Sequence, residues 1–179
     1  FLKEVVVNID ETETFLTRNR IWVDRTRDVG VISKADAIAY GLTGPNLRAA
    51  GVDYDVRVAD PYSSYEEFDF VIPVGTNGDT YDRFTVRQEE MRQSLSIIRQ
   101  ALDKLDKLGD KTTYRADAPE WVLPPKEGVY NNMEELIWHF KIVMGETEVP
   151  VGEVYHCVEG GNGELGFYLI SDGGPNPYR

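Results

Sequence analysis

The amino-acid sequence predicts an α+β fold, in which several helices, one of them long, are followed by a small antiparallel β-hairpin. The long helix is indicated between about Tyr81 and Leu108. Apolar residues recur there at alternating spacings of four and three and so share one helical face, namely Met91, Leu95, Ile98, Leu102 and Leu105. The hairpin is indicated near the carboxyl end, where two strand-like runs, 153–159 and 164–171, flank the turn sequence GGNG.

Local signals predict the elements before the long helix. Residues 2–16 have helical spacing, although the β-branched run EVVVNI keeps a strand as a rival for the first turn. Ser33 is a typical N-cap for a short helix, KADAIAY, which Gly41 ends. Residues 59–80 are rich in turn-forming residues and predict a loop, with one short strand at about 68–74.

A linker and a second amphipathic helix are predicted between the long helix and the hairpin. Residues 109–128 contain three prolines and predict a surface linker. The helix is expected at about 131–144, where apolar residues again share one face: Met133, Leu136, Ile137, Phe140 and Met144. We therefore treat the chain as a single region with a helical part (1–108), the linker, and a helix-plus-hairpin part (129–179).

The composition restricts the classes of function. A net charge of −12 over 179 residues disfavours nucleic acid as a partner, since phosphate binding requires clustered Lys and Arg. The acidity also disfavours adsorption to an anionic membrane, and no apolar run approaches the roughly 20 residues that span a bilayer. Cys157 is the only cysteine, which excludes an internal disulfide and favours a reducing compartment. Because the chain starts at Phe1 rather than Met and stops at Arg179 after a Gly-Pro turn, we expect a piece excised from a longer protein.

Residues 41–57 (GLTGPNLRAAGVDYDVR) combine glycines with charges inside an apolar run. Glycine is used where the backbone turns sharply or approaches another surface closely. Arg48 and Arg57 require partners, because an unpaired buried charge is very costly. Asp53 and Asp55 are the nearest candidates. The segment is therefore predicted to pack against another surface, which need not belong to this chain.

No arrangement of reactive side chains in the sequence predicts an autonomous active site. Gly161, Gly163 and Gly166 match G-x-G-x-x-G, but a strand-like run follows where a dinucleotide site needs a helix. His156 and Cys157 are neighbours on a predicted strand and so point to opposite faces. With only one further histidine in the chain, they form no recognisable zinc set. We predict no catalytic, cofactor-binding or metal-ligating residue.

Most acidic side chains are expected on solvated faces. Glu89 and Glu90, with neighbouring arginines, are assigned to the outer side of the long helix, where i, i+3 pairs give solubility. Asp79 or Thr80 is expected to cap that helix.

Three blocks of sequence resemble one protein family. They are GLTGPNLRAAGVDYDVR (41–57), DRFTVRQEEMRQSLSIIRQAL (82–102) and GELGFYLISDGGPNPYR (163–179). They resemble the hydrogenase-like large subunit, also called the D subunit, of respiratory complex I, the proton-pumping NADH:quinone oxidoreductase. Weaker agreement joins the blocks, so the likeness covers nearly the whole chain. It corresponds to the latter part of that large subunit.

The resemblance implies a place in an enzyme complex more than a mechanism. In that family the large subunit is peripheral, on the cytoplasmic side of the inner (cell) membrane, beside the small subunit that carries the terminal iron–sulfur cluster. The two subunits form the quinone-reduction cavity, which this chain is expected to help form and support while it docks to neighbouring subunits. Quinone, FMN and iron–sulfur clusters belong to the parent complex, which couples electron transfer from NADH to proton translocation. The family's quinone-binding histidine and tyrosine match no position here, so the fragment alone is expected to be inactive.

Six charged residues are expected to give support rather than catalysis. They are Arg48, Asp55 and Arg57 in the Gly-rich segment, and Glu164, Asp172 and Arg179 in the terminal hairpin. Two other interpretations stay open. One is a membrane-bound nickel–iron hydrogenase-type large subunit, although this sequence lacks the cysteine pairs of that class. The other is a stand-alone scaffold or interaction domain derived from the family.

Overall fold

The structure, a computed structural model, describes residues 1–109, 115–145 and 148–179 of the chain. The described chain divides into two compact units. The first comprises Phe1–Lys107 with Cys157–Leu165, and the second comprises Leu108–His156 with Gly166–Arg179.

Six helices begin in the first unit. They are α1 (Leu2–Thr17), α2 (Arg20–Thr26), α3 (Lys34–Ala39), α4 (Gly44–Ala49), α5 (Val56–Ala59) and α6 (Thr80–Leu108), with a single 3₁₀ turn at Tyr65–Glu67 between the last two. The amino-terminal segment is therefore a helix rather than a strand. The prediction of one long helix before residue 109 is confirmed by α6, which has 29 residues.

Side-chain caps mark where four of these helices begin, and at one of them, α5, Asp55 accepts from the amide of Arg57. Asn19 accepts hydrogen bonds from the first backbone amides of α2. Ser33 accepts one from the amide of Asp36, which confirms the predicted cap of α3. Asp79 Oδ1 accepts one from the amide of Asp82 at 2.8 Å, so Asp79 caps α6. Each bond satisfies a donor that the first helical turn leaves unpaired.

The core of the first unit is small and lies around α3 and α4. It consists of Ala37, Leu47 and Ala50, covered by the partly buried Ile32, Leu42, Val52 and Tyr54. On α6, Leu95 is buried, but the other members of its predicted apolar stripe are 41–60% exposed, namely Met91, Ile98, Leu102 and Leu105. Most of that stripe is thus an uncovered face in this chain.

Two glycines allow the hairpin turn to lie directly on the start of α4. Gly44 has a φ of +65°, and a Cβ at this position would lie only 2.3 Å from the Cα of Gly163. A Cβ at Gly163 would lie 2.6 Å from Thr43 Oγ1, which accepts a hydrogen bond from the amide of Glu164. No side chain larger than hydrogen fits at this approach.

The predicted short strand at 68–74 is wrong. These residues lie within the described part of the chain, and none of them is in a strand. The amides of Asp69 and Val71 donate instead to the side-chain oxygens of Gln100 (2.9 Å) and Gln93 (3.1 Å) on α6. The segment is held by a helix surface rather than by a second strand.

The second unit contains two helices and most of a hairpin. The elements are α7 (Lys126–Asn131), α8 (Met133–Val143), and the paired strands β1 (Gly152–Gly160) and β2 (Gly163–Ser171). The predicted hairpin is confirmed. The predicted helix at 131–144 is interrupted at Asn132, whose side chain caps α8 by accepting from the amide of Glu134. The predicted linker at 109–128 already contains the first residues of α7, and its residues 110–114 lie outside the described part.

The apolar side chains of α8 are largely uncovered in this chain. Six of them are 37–69% exposed: Met133, Leu136, Ile137, Trp138, Phe140 and Val143. Within the described ranges, no helix has the length and apolar content that crossing a membrane requires.

Candidate functional site

A buried group of ion pairs, which we call the Arg48 cluster, lies within the first unit. Arg48 stands near the end of α4 and is only 2% exposed. Its Nε donates to Glu90 Oε1 at 2.7 Å, and its Nη1 donates to the Tyr54 carbonyl oxygen at 3.0 Å. Its Nη2 lies 2.9 Å from Glu159 Oε1. All three guanidinium nitrogens are therefore engaged by the protein itself.

Asp55 joins this guanidinium to that of Arg57. Asp55 Oδ2 lies 3.6 Å from Arg48 Nη1. Arg57 donates from Nε to Oδ1 at 2.9 Å and from Nη2 to Oδ2 at 2.7 Å, and its backbone amide also donates to Oδ1. This two-pronged contact is the strong form of an arginine–carboxylate pair. Of the two carboxylates that the sequence offered, Asp55 is the partner and Asp53 is exposed.

Two glutamates from distant parts of the chain complete the Arg48 cluster. Glu90 was predicted on the solvated outer side of the long helix, and that prediction is wrong, since its side chain is only 16% exposed and binds Arg48. Glu159, in β1, has a side chain that is 4% exposed. Its Oε2 accepts from the amide of Val56 at 3.3 Å, and its own amide donates to Tyr62 Oη at 2.9 Å. Its Oε1 approaches Arg48 without hydrogen-bond geometry, so that contact is an ion pair alone.

Burial and charge act in opposite directions on the carboxyl groups. Burial by itself raises the pKa of Asp55, but the hydrogen bonds and charge of Arg57 outweigh it and lower the pKa below its ordinary value. Hydrogen bonding to Asp55 in turn raises the pKa of Arg57. For Glu90, burial is the largest influence and raises the pKa, Arg48 opposes this, and Glu159 adds to it. The charge of Glu90 is therefore less well supported than that of Asp55.

A polar cavity of about 620 Å³ opens beside the Arg48 cluster. Its walls include Arg48, Arg57, Glu90 and Glu159 from the cluster, together with Arg87, Gln88, Ser94 and Asn162. The Oε1 atom of Gln88 is buried and has no hydrogen-bond partner among the described residues. Within those same residues, no group of three or more His, Cys, Asp or Glu side chains is arranged to hold a metal ion.

The arrangement fits mechanical support. The cluster links α4 and the start of α5 to α6 and to the end of β1, which are distant from them in sequence. The segment 41–57, predicted to pack against another surface, contains α4 and the start of α5, and its two arginines face inward to these partners. An arginine whose three nitrogens all lie against carboxylate or carbonyl oxygens of the protein can hold these elements together.

The three other predicted support residues make contacts of different kinds. Glu164 stands at the start of β2, and its amide donates to Thr43 Oγ1 at 3.1 Å. Asp172 Oδ1 accepts from the amide two residues further on and closes a turn. Arg179 pairs through its backbone, since the amide of Ile170 donates to the Arg179 carbonyl oxygen at 2.9 Å. Their supporting role stays a prediction.

Sequence reasoning missed Glu90 and Glu159. A weak signal existed for Glu90, because the apolar Val86 lies one helical turn earlier on the same face. No local pattern points to Glu159, which is 103 residues from the amide that it accepts from.

A comparison with known families identifies the family of the chain. The family model described as "Respiratory-chain NADH dehydrogenase, 49 Kd subunit" matches residues 1–179. The chain belongs to this family, a class of hydrogenase-like subunits to which the three sequence blocks had pointed.

Individual relatives narrow the assignment. The chain is 64% identical over 179 residues to the D subunit of the NADH-quinone oxidoreductase of Flavobacterium psychrophilum, covering 100% of this chain and 43% of that protein. It is 62% identical to a D subunit, the one numbered 2, of the NADH-quinone oxidoreductase of Cytophaga hutchinsonii, covering 100% of this chain and 45% of that protein. It is 55% identical over 172 residues to the corresponding D subunit of Geobacter sulfurreducens, covering 96% of this chain and 43% of that protein. The chain thus spans less than half the length of these relatives.

Proposed function

We propose that this chain is a structural part of the D subunit of an NADH:quinone oxidoreductase. In that role it helps to form and support the quinone-reduction cavity and docks to neighbouring subunits. The complete complex transfers electrons from NADH to quinone and couples this to proton translocation. The family match and the names of the relatives support this proposal over a nickel–iron hydrogenase-type large subunit.

The Arg48 cluster is the observation that carries the supporting role. Arg48 is 2% exposed and contacts three carboxylates from separate elements of the first unit. A buried charge that is left without one partner costs several kcal/mol, so the cluster penalises separation of these elements. Such a cluster would keep this chain's wall of the quinone-reduction cavity in a fixed shape. A fixed shape is needed because another subunit forms the rest of that cavity.

The uncovered apolar faces support the docking role. Six large side chains of α8 are exposed, and contiguous exposed apolar surface marks interaction sites in soluble proteins. We assign the neighbouring complex I subunits as partners, in particular the small subunit that carries the terminal iron–sulfur cluster. No nucleic-acid partner is proposed for a chain of net charge −12.

The redox groups of the complex are assigned to other parts of it. Iron–sulfur clusters need several cysteine ligands, and Cys157 is the only cysteine here. This chain therefore does not fit an iron–sulfur cluster, and we place the clusters and FMN in other subunits. We place the chain itself in the peripheral arm, on the cytoplasmic side of the membrane.

Docking through α8 is tested by placing a carboxylate on its apolar face. Phe140, 57% exposed, is replaced with Asp in the full-length protein, and the neighbouring subunits that co-purify with it are quantified. We expect Phe140→Asp to lose most of these subunits, because a buried unpaired carboxylate is strongly unfavourable in an apolar interface. Lys141→Asp puts the same side chain at the next position, which is polar, and is expected to retain them. Full retention by Phe140→Asp would refute the docking role of this face.

A further inference from the structure

The Arg48 cluster contains an odd number of ionisable side chains. Its carboxyls are Asp55, Glu90 and Glu159, and its guanidinium groups are those of Arg48 and Arg57. All five side chains are at least 84% buried, with exposed fractions of 1%, 16%, 4%, 2% and 14% in that order. If every group is ionised, the cluster carries one uncompensated negative charge. Buried groups in that situation change protonation state rather than keep the charge.

The contacts distinguish the three carboxyls. Asp55 receives three hydrogen bonds from Arg57, two from the side chain and one from the amide, so its charge is well supported. Glu159 is the more deeply buried glutamate and accepts from the amide of Val56. Glu90 has one hydrogen-bond donor among the described residues, Arg48 Nε, which binds Oε1 and leaves Oε2 free to carry a proton.

We propose that Glu90 holds the proton of the Arg48 cluster and exchanges it with the adjacent cavity, so that the link that Arg48 makes between Glu90 on α6 and Glu159 at the end of β1 is a proton-dependent latch. A protonated Glu90 still accepts from Arg48 through Oε1, so the latch stays closed in the neutral form. When Glu90 loses its proton, both Glu90 and Glu159 are negatively charged, and they share the single guanidinium of Arg48. The latch is weaker in that state.

The cavity gives the proton of Glu90 a route to solvent, and its wall contains acceptors for a hydrogen bond from Glu90. Glu90 and Glu159 both line it, as does Gln88. Gln88 Oε1 and Glu159 Oε1 are buried acceptors without a hydrogen bond among the described residues. A protonated Glu90 can donate a hydrogen bond to an acceptor in this wall, whereas a Glu90 carboxylate cannot.

Other charged groups near Glu90 do not compensate the excess negative charge of the Arg48 cluster. Arg87, on the same helix, lines the cavity, but its Nη1 donates to the Arg83 carbonyl oxygen and it forms no ion pair among the described residues. Tyr65 is the other titratable group in the wall. In accord with the geometry, burial raises the pKa of Glu90 and the charge of Glu159 raises it further, against Arg48 and Arg57.

The sign of the pH effect follows from linkage. The closed latch holds a proton on Glu90, whereas an opened latch exposes Glu90 to water, where it titrates near its ordinary value of 4.5. Opening therefore releases a proton above that pH. The opening constant should rise by up to about tenfold per pH unit until the pKa of the closed state is reached, and then level off.

Hydrogen exchange in the assembled complex tests this proposal. Opening is measured by mass spectrometry on peptides covering 44–57 and 157–165, from about pH 5 to about pH 9, after correction for the intrinsic pH dependence of exchange. The wild-type protein should show the rise, and Glu90→Gln should abolish it. Glu89→Gln changes the neighbouring glutamate, whose side chain is 43% exposed, and should behave as wild type.

A second variant keeps the test decisive if Glu90→Gln does not assemble. Glu159→Gln removes the repulsion that favours the proton on Glu90, so the rise should level off at a lower pH than in wild type. The proposal is overturned if the wild-type opening constant does not depend on pH, if Glu90→Gln keeps the rise, or if Glu159→Gln leaves the levelling-off pH unchanged. None of these outcomes depends on whether α8 docks to other subunits.

Discussion

Replacement of Arg48 with alanine removes the one guanidinium that three carboxylates share. The side chain is 2% exposed, and the carboxylate atoms lie 2.7, 2.9 and 3.6 Å from its nitrogens. Removing one partner of a buried ion pair costs about 3–5 kcal/mol, because the remaining charge is left in a poorly hydrating environment. Here Asp55 keeps Arg57, while Glu159 loses its only ion-pair partner and Glu90 loses its only hydrogen-bond donor among the described residues. We therefore expect Arg48→Ala to lower the ratio of folded to unfolded protein by about two to four powers of ten.

The first unit carries its own fluorescent reporter for this experiment. Trp22 lies against α6, with its ring centroid 4.8 Å from that of Phe84, whereas the chain's other tryptophans, Trp121 and Trp138, belong to the second unit. Urea-induced unfolding is followed through Trp22 after both others are changed to Phe. Arg20→Ala is the control, because Arg20 is 92% exposed and its 3.6 Å pair with a helix neighbour contributes little. If Arg48→Ala shifts the urea midpoint no more than Arg20→Ala, the buried-cluster reasoning is wrong.

Two further predictions concern the backbone and the acid stability of the first unit. Gly44→Ala should cost about 1–3 kcal/mol more than Gly41→Ala. Both glycines have a φ of +65°, but a Cβ meets the Gly163 backbone only at Gly44, and nothing lies within 4 Å at Gly41. Equal urea midpoints for these variants would contradict the close approach. Because Arg57 lowers the pKa of Asp55, the stability that Asp55 contributes is present above its ordinary pKa of 3.8 and is lost as the pH falls through its lower folded-state value. The unfolding midpoint of Asp55→Asn, measured below about pH 5, should therefore fall less steeply with acid than that of wild type.

The sequence predicts those helices and strands whose signals lie within the element itself. Helix α6 follows from the spacing of Met91, Leu95 and Ile98, and the hairpin follows from the GGNG turn, because both signals lie within the element itself. Residues 68–74 show why such reasoning fails elsewhere. An extended segment needs hydrogen-bond partners, and these are Gln93 and Gln100, which lie 22 and 31 residues further along the chain. No pattern within the segment shows whether its hydrogen-bond partners are glutamine side chains or a second strand.

The candidate site shows the same difference between contacts that are local in sequence and contacts that are distant. Arg48 lies among apolar residues in the sequence, which predicts that it is buried and needs a charged partner. Asp55 lies near it both in sequence and in space. Glu90 and Glu159 are 42 and 111 residues from Arg48 in the numbering, so their meeting depends on the packing of α6 and β1 on α4. Glu90 stands among charged residues on a long polar-faced helix, which made solvent exposure the simpler expectation. The apolar Val86 one turn earlier was the only local sign of burial, and the structure shows that Val86 is itself buried.

We propose that Arg48 supports the structure and takes no part in the reaction. The most direct test measures two quantities for Arg48→Ala in the full-length protein: the amount of assembled NADH:quinone oxidoreductase, and the quinone reduction rate per assembled complex. We expect the amount of complex to fall several-fold while the rate per complex is unchanged. Normal assembly with a lost rate per complex would contradict it, because Arg48 would then act in the chemistry rather than in the wall.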